Sequence, residues 1–226
     1  MKLIGLMAWF DEEPLRLHES IGDLALLGVT DLIALDGPYA NFPHGRTLSR
    51  QSEPDAIVAG CASHGISLTL QRPVSAWIGD EVAKRQRLLD LAHIVAADEP
   101  AWLCIWDADW RLEPPFDASS IWPAENLPRS VDVSICDDPV HGEPPEAAWY
   151  PMKMLMRFEP GMHMGSAHYI YAYPDGFEQW ILPRREQDVA PLSGVRVRHL
   201  KYRRHPARLK RQAAYYEVRD GEGLES

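Results

Sequence analysis

Cysteine is scarce in this chain: Cys61, Cys104 and Cys136 are the only three in 226 residues. An odd number, widely spaced and each inside an apolar run, makes no disulfide framework. The three read as buried free thiols of a reducing compartment, and a cytoplasmic protein is expected. Long hydrophobic runs are missing as well. No stretch of about eighteen apolar residues occurs, so no transmembrane segment is expected. The first ten residues are briefly apolar, but Asp11, Glu12 and Glu13 follow at once and no small-residue cleavage site appears. They read as a first strand, not a signal peptide. Internal repeats and low-complexity tracts are absent, and the composition excludes disordered, collagen-like and coiled-coil chains. Positive charge is in deficit, with 23 Lys and Arg against 33 Asp and Glu. Such an acidic body does not suit generic binding to a phosphate backbone. One segment departs from it: between Arg196 and Arg219 stand nine basic residues and one acid. That stretch is either a cationic face for an anionic partner or a solvated helix face lying against the acidic body.

What is present reads as a single domain of 46% hydrophobic and 25% charged residues. A chain of this length buries roughly 70% of its unfolded surface and needs no staples. Four apolar runs, at 3–10, 32–35, 66–70 and 102–106, are nearly continuous, as strands buried on both faces should be. Between them lie three helical stretches. The first, 14–27, spaces Leu17, Ile21, Leu24 and Leu27 three or four apart and closes at Gly28. The second opens with Ser52 as cap and an early Pro54 and ends at Gly65. The third runs from near Asp80 to before Pro100. This alternation predicts an α/β fold, a mostly parallel sheet covered on both faces. Beyond Trp110, prolines break the chain into loops and short pieces. Strands are expected at 131–135, 152–158, 167–173 and 195–200. The last three are expected to be antiparallel and nearer the edge, with a final helix at 206–218.

In an open parallel sheet, ligands bind beyond the carboxyl ends of the strands. The four runs are followed by Asp11-Glu12-Glu13, Asp36-Gly37-Pro38, Gln71-Arg72-Pro73 and Asp107-Ala108-Asp109. Carboxylates brought together at one edge repel unless a cation or a hydrogen-bonding ligand sits among them. The plainer alternative is helix capping, since acids favour a helix N-terminus. Asp107 and Asp109 leave a buried strand two residues apart. Hard oxygen ligands of that kind suit Mg²⁺ or Mn²⁺ shared with substrate phosphates.

These features together resemble the GT-A nucleotide-sugar glycosyltransferases, closest in pattern to family 2. The elements that carry the resemblance are the two acidic strand ends, Lys84-Arg85 before the fourth strand, and Asp107-Ala108-Asp109. Further on, the segment 157–162 with His168, and His199 with the arginines and Tyr215-Tyr216 after it, match more weakly. The resemblance implies a GT-A-like domain over 1–226: a nucleotide-sugar half (1–110), an acceptor-side half (111–195) and the basic C-terminal segment (196–226). It implies that Trp9, Asp11 and Asp36 flank base and ribose, and that Arg85 meets the diphosphate. Asp107 then serves ribose and metal, and Asp109 the metal. The implied donor is a UDP-sugar and the cofactor Mn²⁺ or Mg²⁺. His199 is a possible third metal ligand, and Trp110 the first choice for stacking on the sugar. The proton acceptor is sought among His168, Asp137, Asp138 and Asp175, with His168 and Asp138 as the working pair. The acceptor is unidentified, and an anionic one, nucleic acid included, fits the basic segment. Two rival readings stand beside this one. A phosphohydrolase would use the strand-end Asp for phosphoryl transfer, with Asp137 and Asp138 on its metal. A non-catalytic nucleic-acid-binding protein would work through the basic segment and bind with steep salt dependence.

Overall fold

The computed structural model describes residues 2–40, 46–77, 80–97, 99–114, 129–137, 149–167, 169–181 and 194–200, with 209, 210, 213 and 214. The first half alternates as its hydrophobic pattern demands: β1 (Lys2–Ala8), α1 (Pro14–Leu26), β2 (Asp31–Leu35), α2 (Ser52–His64), β3 (Ser67–Gln71), α3 (Asp80–Ala96) and β4 (Ala101–Asp107). Proline at the first turn of α1 costs nothing, because that N–H has no helical partner. Ser52 is not the cap of α2; Gln51 holds that position and makes no side-chain cap bond. Glu53, in the first turn, reaches back over the start of the helix, and its carboxylate accepts from Arg50 N at 3.0 Å.

Among the described residues, eight strands form one sheet in the order β3-β2-β1-β4-β7-β6-β11-β5. Its later members are β5 (Trp110–Leu112), β6 (Ser130–Asp137), β7 (Tyr150–Arg157) and β11 (Arg196–His199). The first four are parallel, with Ala8 beside both Leu35 and Asp107. Right-handed crossovers place α1 and α2 on one face and α3, which returns across the sheet from β3 to β4, on the other. Leu17, Ile21 and Leu24 of α1 are fully buried, each contributing about 1.5–3 kcal/mol. Gly60 of α2 lets the two helices close, since a Cβ there would stand 3.0–3.2 Å from Ile21.

The second half departs from expectation. β7 does run antiparallel, but it lies inside the sheet against β4 rather than near an edge. β11 pairs parallel with β6 and antiparallel with β5. The expected strand at 167–173 shortens to β9 (Ile170–Ala172), which joins β8 (His163–Met164) and β10 (Glu178–Trp180) in a small antiparallel sheet. The final helix expected at 206–218 lies almost wholly outside the described residues.

The linkage from β4 to β5 shapes the whole sheet. Only two residues separate Asp107 from Trp110, so the strand ends stand at most about 11 Å apart. Yet β5 lies four positions from β4 in strand order, about 19 Å away in a flat sheet. The sheet therefore curls, bringing β11 and β5 back to the carboxyl end of β4. The β4–β7 ladder runs only from Trp102 to Cys104, so the upper half of β4 parts from β7. No helix among the described residues is long and apolar enough to cross a membrane.

Candidate functional site at the strand ends

The acids that follow the strands do gather at one edge, and the mutual repulsion expected of them is relieved within the protein. Asp11 is ion-paired with Arg46. Asp36 is held by Arg72 at 3.0 Å, Asp107 by Arg85 at 3.2 Å, and Asp109 by His199 at 3.0 Å. Each of these four aspartates has its own basic partner. Asp11, Glu12 and Glu13 do not cap α1 by a side-chain bond, for that helix begins without one.

The β1–β2 side is tightly finished. Asp36 has no exposed surface. Its oxygens accept from Gly37 N at 2.6 Å, from Ser49 N at 3.1 and 3.2 Å, and from Arg72 Nε. That saturates the carboxylate, so its acidity is spent on shaping the loop. Gly37 has φ +104°, and an added Cβ would lie 3.3 Å from Pro73 and Trp77; only glycine takes this turn without strain. Asp11 adopts φ 58°, a left-handed conformation that costs a non-glycine residue energy. Its amide donates to Ser49 Oγ at 3.1 Å, and that bond with the Arg46 pair holds it there. Trp9 is 2% exposed, and its indole Nε1 finds no partner among the described residues.

Helix α3 supplies two adjacent cations with different tasks. Lys84 is buried and donates to Trp9 O at 2.9 Å and Gly37 O at 2.6 Å, tying the ends of β1 and β2 together. Burial pushes its ammonium down to about 7, against the pull of Asp36. Arg85 faces β4. Burial is the largest influence and works against its charge, but Asp107 and the weaker pull of Tyr171, Glu81 and Tyr39 together outweigh it, and the guanidinium holds its proton more firmly than usual.

The β4–β11 side is more loosely finished. The Asp107 side chain is 32% exposed, whereas that of Asp109 is 2% exposed. His199 reaches Asp109 because β11 lies beside β5, with His199 opposite Trp110, and Leu200 N donates to Asp109 O at 2.8 Å. The ring of Trp110 is buried, in edge contacts with Trp106 at 5.8 Å and His199 at 6.4 Å. It does not present the open face expected of a sugar platform, and its Nε1 finds no partner among the described residues.

Of the proposed proton acceptors, His168 and Asp138 lie outside the described residues, as does the side chain of Asp137. Asp175 is described and is engaged by Arg129 at 2.6 and 3.2 Å. No three His, Cys, Asp or Glu side chains among the described residues converge as a metal cage. Sequence reasoning assigned no role to Arg46, Arg72, Ser49, Lys84 or Tyr171. Arg72 and Lys84 stood in the segments already noted; Ser49 and Tyr171 carried no signal.

No protein-family model matches the chain, and no curated protein matches it.

Proposed function

We propose that this chain is a metal-dependent glycosyltransferase of GT-A type, taking a nucleoside-diphosphate sugar, UDP-linked, as donor. The observation that carries the reading is a pair of neighbouring ion pairs just past β4, Arg85 with Asp107 and His199 with Asp109, with β11 bringing the histidine from 90 residues away. Asp109 and His199 would supply two of the ligands of a divalent ion. Two neighbouring ligands of an octahedral ion with bonds of about 2.1 Å stand about 3 Å apart, which is the spacing of Asp109 Oδ2 and His199 Nε2. Carboxylate oxygen suits Mg²⁺ or Mn²⁺, and such ions complete their shells with substrate phosphates rather than a full protein cage.

In the reaction the bond between the anomeric carbon and the phosphate oxygen breaks, and the nucleoside diphosphate leaves with the electron pair. The acceptor hydroxyl forms the new bond and gives its proton to a base, for which His168 and Asp138 stand as the working pair. When bound, a divalent ion offsets charge on the leaving diphosphate. Arg85 adds a fixed positive charge at the same place, and its burial keeps that charge from being screened by water. Asp109 and His199 would hold the ion. Asp36, Ser49 and Arg72 keep the loops in place rather than touching the donor.

A thermal-shift screen of nucleoside diphosphates and nucleotide sugars, with and without Mn²⁺, tests the reading. Metal-dependent stabilisation by one nucleotide, lost in Asp109→Ala, is expected. Indifference to every nucleotide under both conditions would overturn it. Hydrolysis of a phosphate monoester without any acceptor would favour the phosphohydrolase.

A further inference from the structure

We propose that Trp149, Arg196 and Arg198 form a docking surface for single-stranded nucleic acid, where a base stacks on the indole and the guanidiniums take the phosphates beside it. These residues stand apart from the donor site. His199 alternates with the two arginines along β11 and so lies on the strand's other face.

The pleat of β11 builds the surface. Val195 and Val197 are buried, whereas Arg196 is exposed and Arg198 half-buried, so both arginines turn away from the core. β11 is paired on both sides, with β6 and with β5, which makes the mount rigid. Both guanidiniums rest against one ring: Arg196 Cζ lies 5.2 Å and Arg198 Cζ 5.8 Å from the Trp149 centroid. Trp9, Trp102, Trp106 and Trp110 are buried, but Trp149 is 36% exposed. Two like charges drawn to one ring repel each other, and an anion beside them relieves the repulsion. Arg198 is also paired with Glu113, which offsets part of its charge. Arg196 meets no carboxylate among the described residues.

The chain beyond this point indicates the partner. Arg196 opens the run of nine basic residues and one acid that reaches Arg219, with Tyr202, Tyr215 and Tyr216 interleaved. So many cations in sequence suit a polymer of phosphates better than a single small anion. Aromatic rings among those cations suit bases, because every base offers a π-face. A duplex keeps those faces in its own stack. A single strand leaves them open.

Fluorescence anisotropy of the full chain tests this with labelled oligo(dT) and oligo(U) of about twelve nucleotides, the oligo(dT) duplex, and inorganic polyphosphate as competitor. Both single strands should bind more tightly than the duplex, with affinity falling as salt rises. Trp149→Ala, its fold checked by circular dichroism, should weaken oligo(dT) about fivefold or more and leave polyphosphate unchanged; Trp149→Phe should restore most of the loss. Arg196→Ala should reduce the salt slope by about 0.7. Arg50→Ala, the same charge change at an exposed residue just before α2, should leave that slope as it was. Glu113→Gln, which removes the carboxylate from Arg198, should tighten binding. Equal effects of Arg196→Ala and Arg50→Ala, or equal affinity for duplex and single strand, would overturn the surface. Oligo(dT) binding unchanged in Trp149→Ala would overturn stacking, and no binding of either strand at low salt would overturn the whole inference. The donor-site reading is decided separately, by the nucleotide and Mn²⁺ screen.

Discussion

The two ends of the strand edge carry the same residue type and treat it in opposite ways. At the β1–β2 end, Asp36 is sealed from solvent and saturated by three backbone and side-chain donor groups. At the β4–β11 end, Asp107 is a third exposed and touches one guanidinium. An acid after a parallel strand is thus not in itself a ligand-binding acid. What separates the two is how many internal donors each already satisfies and whether water can reach it. The first kind holds a loop in shape; the second stays within reach of solvent.

The largest expected effect follows directly. Asp36→Ala strands Arg72 and the Ser49 amide, and should lower stability by about 3–5 kcal/mol in urea unfolding, as breaking a buried pair does. Asp107→Ala leaves the buried Arg85 without its carboxylate, but water reaches that side of the pair, and the loss should be smaller, about 1–2 kcal/mol. Equal losses would erase the contrast. A second probe uses the two cations of α3. Lys84 has its folded value lowered to about 7 from 10.5, so the unfolded chain binds more protons between those values. Stability should therefore rise with pH across that window, and the rise should disappear in Lys84→Met, with urea midpoints as the readout. Gly37→Ala, which places a Cβ in left-handed backbone, should cost about 1–3 kcal/mol while Gly65→Ala, with open space around it, costs less. The smallest effect is expected beyond the edge. Asp23 accepts from Leu112 N at 3.2 Å and docks α1 on β5, and burial raises it to about 6 from 3.8. Its contribution is full below pH 4 and is lost as pH rises through 6; Asp23→Asn should flatten that decline.

The parallel half could be read from the chain because its information is local. Runs such as Leu32–Leu35 and the stripe Leu17, Ile21, Leu24 announce their partners' sides by period alone, and crossover handedness does the rest. The second half could not, because its strands pair over long separations. Nothing near Val195–Leu200 says that it lies parallel to β6, or that His199 will face Trp110. At the site, Asp107, Asp109 and His199 could be named, as could Arg85. Ser49 and Tyr171 could not, since a serine in a loop and a tyrosine in a short strand resemble any other until the chain is folded around them.

Residue order alone settled the alternation of strand and helix, the acids at the strand ends and the Lys84-Arg85 pair, since each depends on neighbours a few positions away. Which carboxylate is filled and which is left open was settled only when the sheet curled. Coulomb interaction and desolvation depend on distance and exposure in space, and those quantities do not exist along a chain.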